Sequence, residues 1–538
     1  MLHVRGIIKS RYIRAEVGKM EVICVPKVFN TTAVCIPKEH YMVNLDERLK
    51  KIKVFVDAGK YFTINRARQY GKTTTLRALY LYLQGEYYVV SMDFQTFGSA
   101  EFQTETIFSR SFANSFLRSL KRNPVNKTEQ LNEAMAQLEK SVASQNDFFA
   151  LKALFEQLGD ICAVSDKPIV LMIDEVDSAS NNQVFLDFLA QLRAQYMERD
   201  IYPTFRSVIL AGVYDVKNLR GKIRPEDEHR YNSPWNIAAD FDISMSFSKN
   251  EIAGLLFDDT SGYPFLVSRL CQLMDEVVCK KETYGSKSAA WTIEGFYEAQ
   301  RLILAEKNML FESLSEKLVS YPELNDMLKS LLFTGKPIVF NYYEPSIGVA
   351  SMFGFVKNKN GMLVVANRIF ETWLYNFYLS AADMQKKEIY AASLMDKNQF
   401  IVNGCLNMRL ILEKFVVHFH DLYGDQNETF LEEEGRKYFL LYLRPIINGT
   451  GNYYIEAQTR GQKRTDVIVD YRGHQYVIEM KIWRGQEYNN RGEKQLAGYL
   501  DDYHVNKGYM VSFNFNRKKK TGIREIVFND KVIIEAVV

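Results

Sequence analysis

The sequence contains few of the residues that stabilise small secreted domains or bind structural zinc. Only six of its 538 residues are cysteine, and no two of them form a Cys-x-x-Cys pair. This excludes a disulfide framework or a zinc–cysteine cluster and predicts reduced thiols in a cytoplasmic protein. Prolines number only 12 and no low-complexity tract is present, which excludes collagen-like and linker-dominated architectures.

Long apolar runs and an excess of charge of one sign are also absent. The longest apolar runs, such as Pro168–Ile173, are far shorter than the roughly 18 residues that span a bilayer, and no signal peptide is visible at residues 1–14. We therefore expect no membrane partner. The 68 basic and 65 acidic residues leave a net charge of +3, so any nucleic-acid site must be local. A hydrophobic content of 47% predicts a packed chain of several domains.

Strands and helices alternate over the first 240 residues, which predicts an α/β fold with a parallel sheet. The predicted strands are Tyr61–Ile64, Tyr87–Asp93, Pro168–Ile173 and Ser207–Val213.

Beyond residue 240 the pattern is mainly helical. A capping box at Ser248–Glu251 predicts a helix start, and Asn360-Gly361 predicts the turn of a hairpin over 355–365. Residues 381–420 are predicted to be connecting helices. From Glu428 onward the pattern predicts a helix, strands, a helix and a strand.

The first candidate site lies in residues 61–75, which read YFTINRARQYGKTTT. A predicted strand leads through a loop into a helix that opens with Gly71, Lys72 and Thr73. Glycine lets the backbone approach a ligand, and N–H groups at a helix start bind anionic oxygens. Lys72 would neutralise phosphate charge and Thr73 would bind Mg²⁺, although Arg66 stands where a P-loop has its first glycine. The predicted nucleotide-binding residues are Arg66, Gln69, Tyr70, Gly71, Lys72, Thr73, Thr74 and Asp174.

A second motif, PIVLMIDEVD at 168–177, places two carboxylates at the end of a predicted buried strand. Asp174 would bind Mg²⁺, and Glu175 would orient or deprotonate the attacking water. The alternative is an acidic strand end that serves only as a cap. Further candidates follow the next strand: Tyr214 or Asp215 as a γ-phosphate sensor, and Arg220, Arg224 or Arg230 as an arginine finger or simply solvated arginines.

Residues 41–380 resemble the bacterial AAA-like ATPases of the STAND and archaeal-ATPase branch. The residues that carry this resemblance are INRARQYGKTTTL, VLMIDEVD and SGYPFL at 261–266. The resemblance implies a helical lid that begins near Gly262 and Pro264, ATP-dependent switching and a homo-oligomer. A predicted helix around 324–332 followed by the predicted hairpin indicates a winged helix.

A different group of residues lies in the last 110 positions, where TDVIVD at 465–470 precedes QYVIEMKI at 475–482. Asp466 and Glu479 would lie on neighbouring strands of a hairpin, and the period of two puts Glu479 and Lys481 on one face. The two carboxylates would bind a divalent metal ion, and Lys481 would position water or stabilise phosphate charge. Other candidates are Gln495 and Tyr499, which share a helix face, and the metal-ligand candidates Glu434 and Glu456.

This order resembles the PD-(D/E)xK nuclease superfamily over residues 430–515, with Thr465 in place of the motif's proline. The resemblance implies phosphodiester cleavage with Mg²⁺ or Mn²⁺. Basic residues nearby would contact a nucleic acid, DNA above all, or form solvated turns: Arg460, Lys463, Arg464 and RKKK at 517–520. The alternatives are surface charges on an α/β domain, or a nuclease fold that does not cut.

The sequence therefore predicts a multidomain α/β protein. The expected segments are a leader at 1–45, a P-loop ATPase core at 46–240, a helical lid at 241–305, a winged helix at 306–380, a helical linker at 381–425 and a nuclease-like domain at 426–538. The predicted function is ATP-controlled, metal-dependent cleavage of nucleic acid. The alternative is a STAND-like ATP-driven switch whose last domain binds a partner without cutting it.

Overall fold

The computed structural model describes residues 27–32, 34–144, 149–213, 235–248, 253–333, 338–381, 387–423, 428–447, 451–455, 467–471, 474–482, 493–494, 496–501, 505–514, 520–528 and 530–538. The chain divides into two compact units. The first contains the described residues up to Phe257 together with Gly262–Arg269 and Met352–Gly354, and the second contains the rest.

The centre of the first unit is a four-stranded, all-parallel sheet, which confirms the predicted α/β class. Its strands are β1 (Phe62–Asn65), β2 (Tyr88–Asp93), β3 (Ile169–Asp174) and β4 (Ser207–Gly212). Their order is β1-β4-β3-β2, so β4 lies between the strand before the glycine loop and the strand before the two carboxylates. Beside β1, the N–H of Ala239 donates to the carbonyl of Tyr61 at 2.8 Å in a parallel bridge.

Helices cover both faces of this sheet, so the residues of β3 and β4 are buried on both sides. One apolar cluster includes Phe108 and Phe188, and the other includes Leu49 and Leu79. Such double coverage is what makes the strands uninterrupted apolar runs. The helices are α1 (Asp46–Asp57), α2 (Lys72–Leu83), α3 (Glu105–Lys121), α4 (Glu129–Ala143), α5 (Leu151–Val164) and α6 (Gln183–Met197).

A run of helices follows the sheet in the sequence, as the pattern predicts. Asparagine side chains cap two of them, since Asn308 accepts from the N–H of Phe311 and Asn367 from that of Phe370. The helices are α7 (Gly254–Thr260), α8 (Pro264–Glu276), α9 (Lys287–Ala290), α10 (Ile293–Ala305), α11 (Met309–Ser320), α12 (Pro322–Phe333), α13 (Pro345–Met352) and α14 (Arg368–Leu379). The capping box is not tested, because Glu251 lies outside the described residues.

The hairpin predicted at 355–365 is confirmed. Strands β5 (Val356–Lys359) and β6 (Met362–Val365) pair antiparallel, and Asn360 and Gly361 both have positive φ, as a two-residue hairpin turn requires. Residues 338–340 add a third, short extended segment: the N–H of Phe340 donates to Gly361 and the N–H of Leu363 donates to Ile338, each at 2.8 Å.

Residues 387–423 contain two helices, as predicted, and also a hairpin that was not predicted. Between α15 (Glu388–Asp396) and α16 (Met408–Tyr423) lies a small hairpin of β7 (Ile401–Val402) and β8 (Cys405–Leu406). Asn403 and Gly404 form its turn with positive φ, so the chain reverses where the prediction had a helical connection.

The carboxyl-terminal part forms a six-stranded mixed sheet after helix α17 (Glu428–Ile447). Its order is β13-β14-β12-β11-β10-β9, with β9, β10 and β11 antiparallel and β11, β12 and β14 parallel. The strands are β9 (Gly451–Ile455), β10 (Val467–Tyr471), β11 (His474–Ile482), β12 (Lys507–Phe513), β13 (Gly522–Phe528) and β14 (Lys531–Val537). The single final strand that was predicted is therefore three strands.

Helices approach this sheet closely from both sides. A Cβ atom at Gly435 of α17 would lie 2.9 Å from the ring of Phe513, and one at Gly508 would lie 2.9 Å from Leu500 of the helical segment 496–501. Within the described residues, no helix is long and apolar enough to cross a membrane.

Candidate functional sites

The glycine loop between β1 and α2 has the geometry of an anion-binding loop. Gly71 is the N-cap of α2 and has φ of +76°, a conformation that glycine adopts without strain. The Nζ of Lys72 turns back over the loop and donates to the carbonyls of Arg66 at 3.0 Å and Ala67 at 3.2 Å. Burial lowers the pKa of Lys72, and the carboxylates of Glu175, Asp177 and Asp174 oppose this shift.

Arg66 contacts the protein on the other side of the glycine loop. Its guanidinium donates to the carbonyl of Ile243 at 3.0 Å and to that of Asn65 at 2.8 Å, and it lies over the ring of Phe241. The side chain thus connects the loop to residues 241–243, and these contacts accommodate an arginine where P-loops have glycine.

The other predicted loop residues contact the protein around the loop. Gln69 has a positive φ of 59°, and the hydroxyl of Tyr70 lies 2.9 Å from that of Ser246. The hydroxyl of Thr74 accepts a hydrogen bond from the N–H of Cys35 at 3.2 Å.

Two acidic residues at the end of β3 lie close to the start of α2. Asp174 is buried, hydrogen-bonds to the side chain of Thr73 and accepts the N–H of Glu175 at 2.9 Å. Burial raises the pKa of Asp174. The pKa of Glu175 is also raised, mainly by burial and secondly by repulsion from Asp174. Glu175 also has φ of +52°, which non-glycine residues adopt only where the surrounding structure imposes it. The structure therefore brings together Lys72, Thr73, Asp174 and Glu175.

Asp177 is a member of this site that the sequence analysis missed. Its Oδ2 accepts the N–H of Val213 at 2.5 Å, just beyond β4, and its Oδ1 lies 2.8 Å from where a Cβ atom on Gly212 would be. The carbonyl of Gly212 in turn accepts the N–H of Arg66 at 3.2 Å. Asp177 thus connects the turn after β3 to the end of β4. The sequence feature that could have identified Asp177 is the second aspartate of the IDEVD motif.

The segment SGYPFL is attached to the glycine loop. Gly262 has φ of +72° and its carbonyl accepts the N–H of Phe247 at 2.8 Å, while Pro264 begins α8. The hydroxyl of Tyr263 donates to the carbonyl of Arg68 at 2.6 Å, and its ring packs edge-on against Tyr70. The conformation of the loop and the start of α8 are therefore linked.

The predicted sensor and arginine-finger candidates lie outside the described residues. These are Tyr214, Asp215, Arg220, Arg224 and Arg230.

The second candidate site centres on β11. Glu479 is buried, and its Oε1 lies 3.5 Å from the Nζ of Lys481 on the same strand. Val477, two residues before Glu479, packs in an apolar cluster with Tyr499. Because alternate residues share a face, Glu479, Lys481 and the helix that carries Tyr499 lie on one side of the sheet.

Other predicted members of this second site are not tested. Asp466, Gln495, Glu456 and the basic residues other than Lys520 lie outside the described residues, as does the side chain of Glu434 in α17. Over the parts of the chain that are described, no three His, Cys, Asp or Glu residues cluster in a way that could hold a metal ion.

The family model of an AAA-like domain matches residues 37–274. No match was found among curated protein sequences. The Walker-type ATPase paby2304 of Pyrococcus abyssi is a similar solved structure, with 13% identity and a TM-score of 0.40; the match covers 64% of this chain and 99% of that one.

Two Aeropyrum pernix structures also match. The ORC1 protein in complex with DNA has 10% identity and a TM-score of 0.28 over 62% of this chain and 93% of its own. The ORC2 protein, in ADPNP–ADP complexes, has 12% identity and a TM-score of 0.28 over 66% and 99%. The family match and the loop geometry together support a P-loop ATPase domain within residues 37–274.

Proposed function

We propose that the first unit binds and hydrolyses ATP. The observation that carries this proposal is the convergence of Lys72, Thr73, Asp174 and Glu175 at the amino-terminal end of α2. The N–H groups at that helix start would bind phosphate oxygens, and the Lys72 ammonium would leave the loop carbonyls to neutralise phosphate charge.

Glu175 is suited to act on the attacking water. Its raised pKa brings it closer to neutral pH than an ordinary glutamate, which favours a general base. Its neighbours Asp174 and Thr73 supply the hard oxygen donors that Mg²⁺ prefers, so the two side chains fit that ion. Mg²⁺, when bound, neutralises charge on the transferred phosphoryl group.

We further propose that the segments after this core follow the predicted order of lid (241–305), winged helix (306–380) and helical linker (381–425). Helices α11, α12 and α13 precede the β5–β6 hairpin, and residues 338–340 pair with β6, an arrangement typical of a winged helix. A homo-oligomer is part of this proposal, by resemblance to the AAA-like branch.

For residues 426–538 we propose a metal-dependent nuclease domain controlled by ATP. What supports it is the order of α17, three antiparallel strands, a helical segment and the parallel strand β12, with Glu479 and Lys481 on the central strand β11. Val467, which follows Asp466 in the sequence, pairs with Ile478, next to Glu479. Glu479 would supply an oxygen ligand to Mg²⁺ or Mn²⁺, and Lys481 would stabilise phosphate charge.

The proposal is tested with the full chain in two assays. ATP hydrolysis should be lost in Lys72→Ala and unchanged in Lys50→Ala, an exposed lysine on α1. Cleavage of plasmid and of labelled DNA and RNA, with Mg²⁺ or Mn²⁺ and with or without ATP, should be lost in Lys481→Ala. It should be unchanged in Lys507→Ala, an exposed lysine on β12. Cleavage that survives Lys481→Ala would refute the assigned site.

The alternative function is one in which Glu479 and Lys481 take no part in cleavage. In this case the protein is a STAND-like ATP-driven switch, and its last domain binds nucleic acid or a protein without cutting it. ATP hydrolysis without cleavage under any metal, together with ATP-dependent nucleic-acid binding or assembly, would identify this function.

A further inference from the structure

A fully buried carboxylate lies in the carboxyl-terminal sheet, apart from the pair on β11. Glu535 of β14 has no solvent exposure, and its Oε1 accepts the hydroxyl of Ser512 on β12 at 2.5 Å. Its Oε2 is ion-paired with the Nε of Arg524 on β13. A buried carboxylate is tolerated when both oxygens are bonded in this way. Ser512 is equally buried, so the cluster is part of the sheet interior.

Strand register brings this cluster to the face that carries Glu479. Glu479 pairs with Met510, Met510 pairs with Glu535, and Glu535 pairs with Arg524. Residues paired laterally in a sheet point to the same side, so this row of four residues shares one face.

The adjacent row on the same face places Lys481 directly beside Ser512, on the neighbouring parallel strand. Strands in a sheet are about 4.8 Å apart, so the two side chains are neighbours. The hydroxyl hydrogen of Ser512 is donated to Glu535, and its oxygen can still accept a hydrogen bond. Lys481 offers only donors. Ser512 therefore keeps a lone pair, with its hydroxyl oriented by Glu535, on the strand that pairs with Lys481.

We propose that Ser512, Glu535 and Arg524 form a positioning relay that holds the Lys481 ammonium beside Glu479. Arg524 balances the charge of Glu535, Glu535 orients the Ser512 hydroxyl, and Ser512 accepts from Lys481. This inference rests on the proposed nuclease function of the same face. Glu535 itself does not bind the metal ion or substrate, because both its oxygens are bonded and it is sealed from solvent.

Two readouts on the full chain test the relay. The first is the rate at which a lysine-selective succinimidyl ester acylates Lys481, measured by peptide mass spectrometry. This readout does not depend on cleavage of nucleic acid. The second is metal-dependent cleavage of labelled oligonucleotides, with kcat and KM measured separately. The variants are Ser512→Ala, Ser512→Thr and Glu535→Gln. The control is Ser393→Ala, which removes another fully buried serine hydroxyl from α15.

Ser512→Ala should raise Lys481 acylation at least threefold and lower kcat about tenfold with KM unchanged, since a hydrogen bond to a charged group is lost. Glu535→Gln should change both in the same direction, Ser512→Thr should restore both, and Ser393→Ala should change neither. Unaltered Lys481 acylation in both Ser512→Ala and Glu535→Gln would overturn the relay. Altered Lys481 acylation in these two variants, together with a wild-type protein that cuts no nucleic acid, would support the relay and refute the nuclease function.

Discussion

Among the described glycines of the first unit, Gly262 is the one at which an added methyl group should be most destabilising. Its φ is +72°, and a Cβ atom there would lie 1.9 Å from the carbonyl oxygen of Phe247 and 2.8 Å from its carbonyl carbon. Both contacts involve backbone atoms, so no side-chain rotation relieves them. The same backbones are joined by the hydrogen bond from the N–H of Phe247 to the carbonyl of Gly262.

The expected cost of Gly262→Ala has two parts. A left-handed alanine costs roughly 1–2 kcal/mol. Separating the backbones by more than 1 Å breaks their hydrogen bond and strains the chain around it, which adds roughly 2 kcal/mol or more. We therefore expect at least about 3 kcal/mol of destabilisation, or a fall of roughly 6–12 °C in the melting temperature of a unit this size.

Gly71→Ala is the matched control, measured without nucleotide. Gly71 has φ of +76°, in the same unit, but no atom lies within 4 Å of its added Cβ. It should therefore show only the left-handed penalty, a fall of roughly 2–8 °C. Thermal unfolding followed by fluorescence compares the two variants. Equal shifts would refute the argument that contact with Phe247, rather than φ alone, makes glycine necessary at position 262.

Three further predictions concern side-chain contacts within one unit or the other. Tyr263→Phe removes the hydroxyl that donates to the glycine loop and should lower stability by about 1 kcal/mol and weaken ATP binding, measured by calorimetry. Asp177→Ala leaves the N–H of Val213 without its carboxylate and should lower kcat for ATP about tenfold with little change in KM; unchanged kcat would contradict this role. The hydrogen bond from Arg301 lowers the pKa of Glu298 from 4.5 to about 2, so this pairing contributes stability above pH 4.5 that is lost as the pH falls toward 2. Glu298→Gln should therefore be less stable than wild type by about 1 kcal/mol at pH 7 and equal to it near pH 2, as measured by denaturant unfolding.

The sheet of the first unit could be predicted from the sequence because its strands are covered on both faces. β3 and β4 are almost entirely apolar, and the predicted bounds differ from the observed ones by at most one residue. The small hairpin β7–β8 could not be predicted in the same way. Its two strands have two residues each, which is too short for a period of two to be visible against helices on either side.

The role of Arg66 shows what a motif comparison leaves undetermined. Aligned with a P-loop, position 66 is simply a missing glycine, and the sequence places its arginine among the nucleotide-binding residues. In the structure its guanidinium donates to two carbonyls, one of them that of Ile243, 177 positions away. No local pattern indicates which distant backbone a guanidinium will meet.

In the carboxyl-terminal sheet, too, pairings between strands close in sequence could be predicted and pairings between distant strands could not. The turn at 471–474 joins adjacent antiparallel strands, so the pairing of β10 with β11 could be predicted from spacing, and the pairing of Tyr471 with His474 confirms it. Parallel neighbours are separated by a crossover, so the distance in sequence from Lys481 to Ser512, or from Met510 to Glu535, carries no such information. The polar residues that extend a site sideways across parallel strands are therefore those that motif analysis misses. Variants at Ser512 and Glu535 show whether such residues act in this chain.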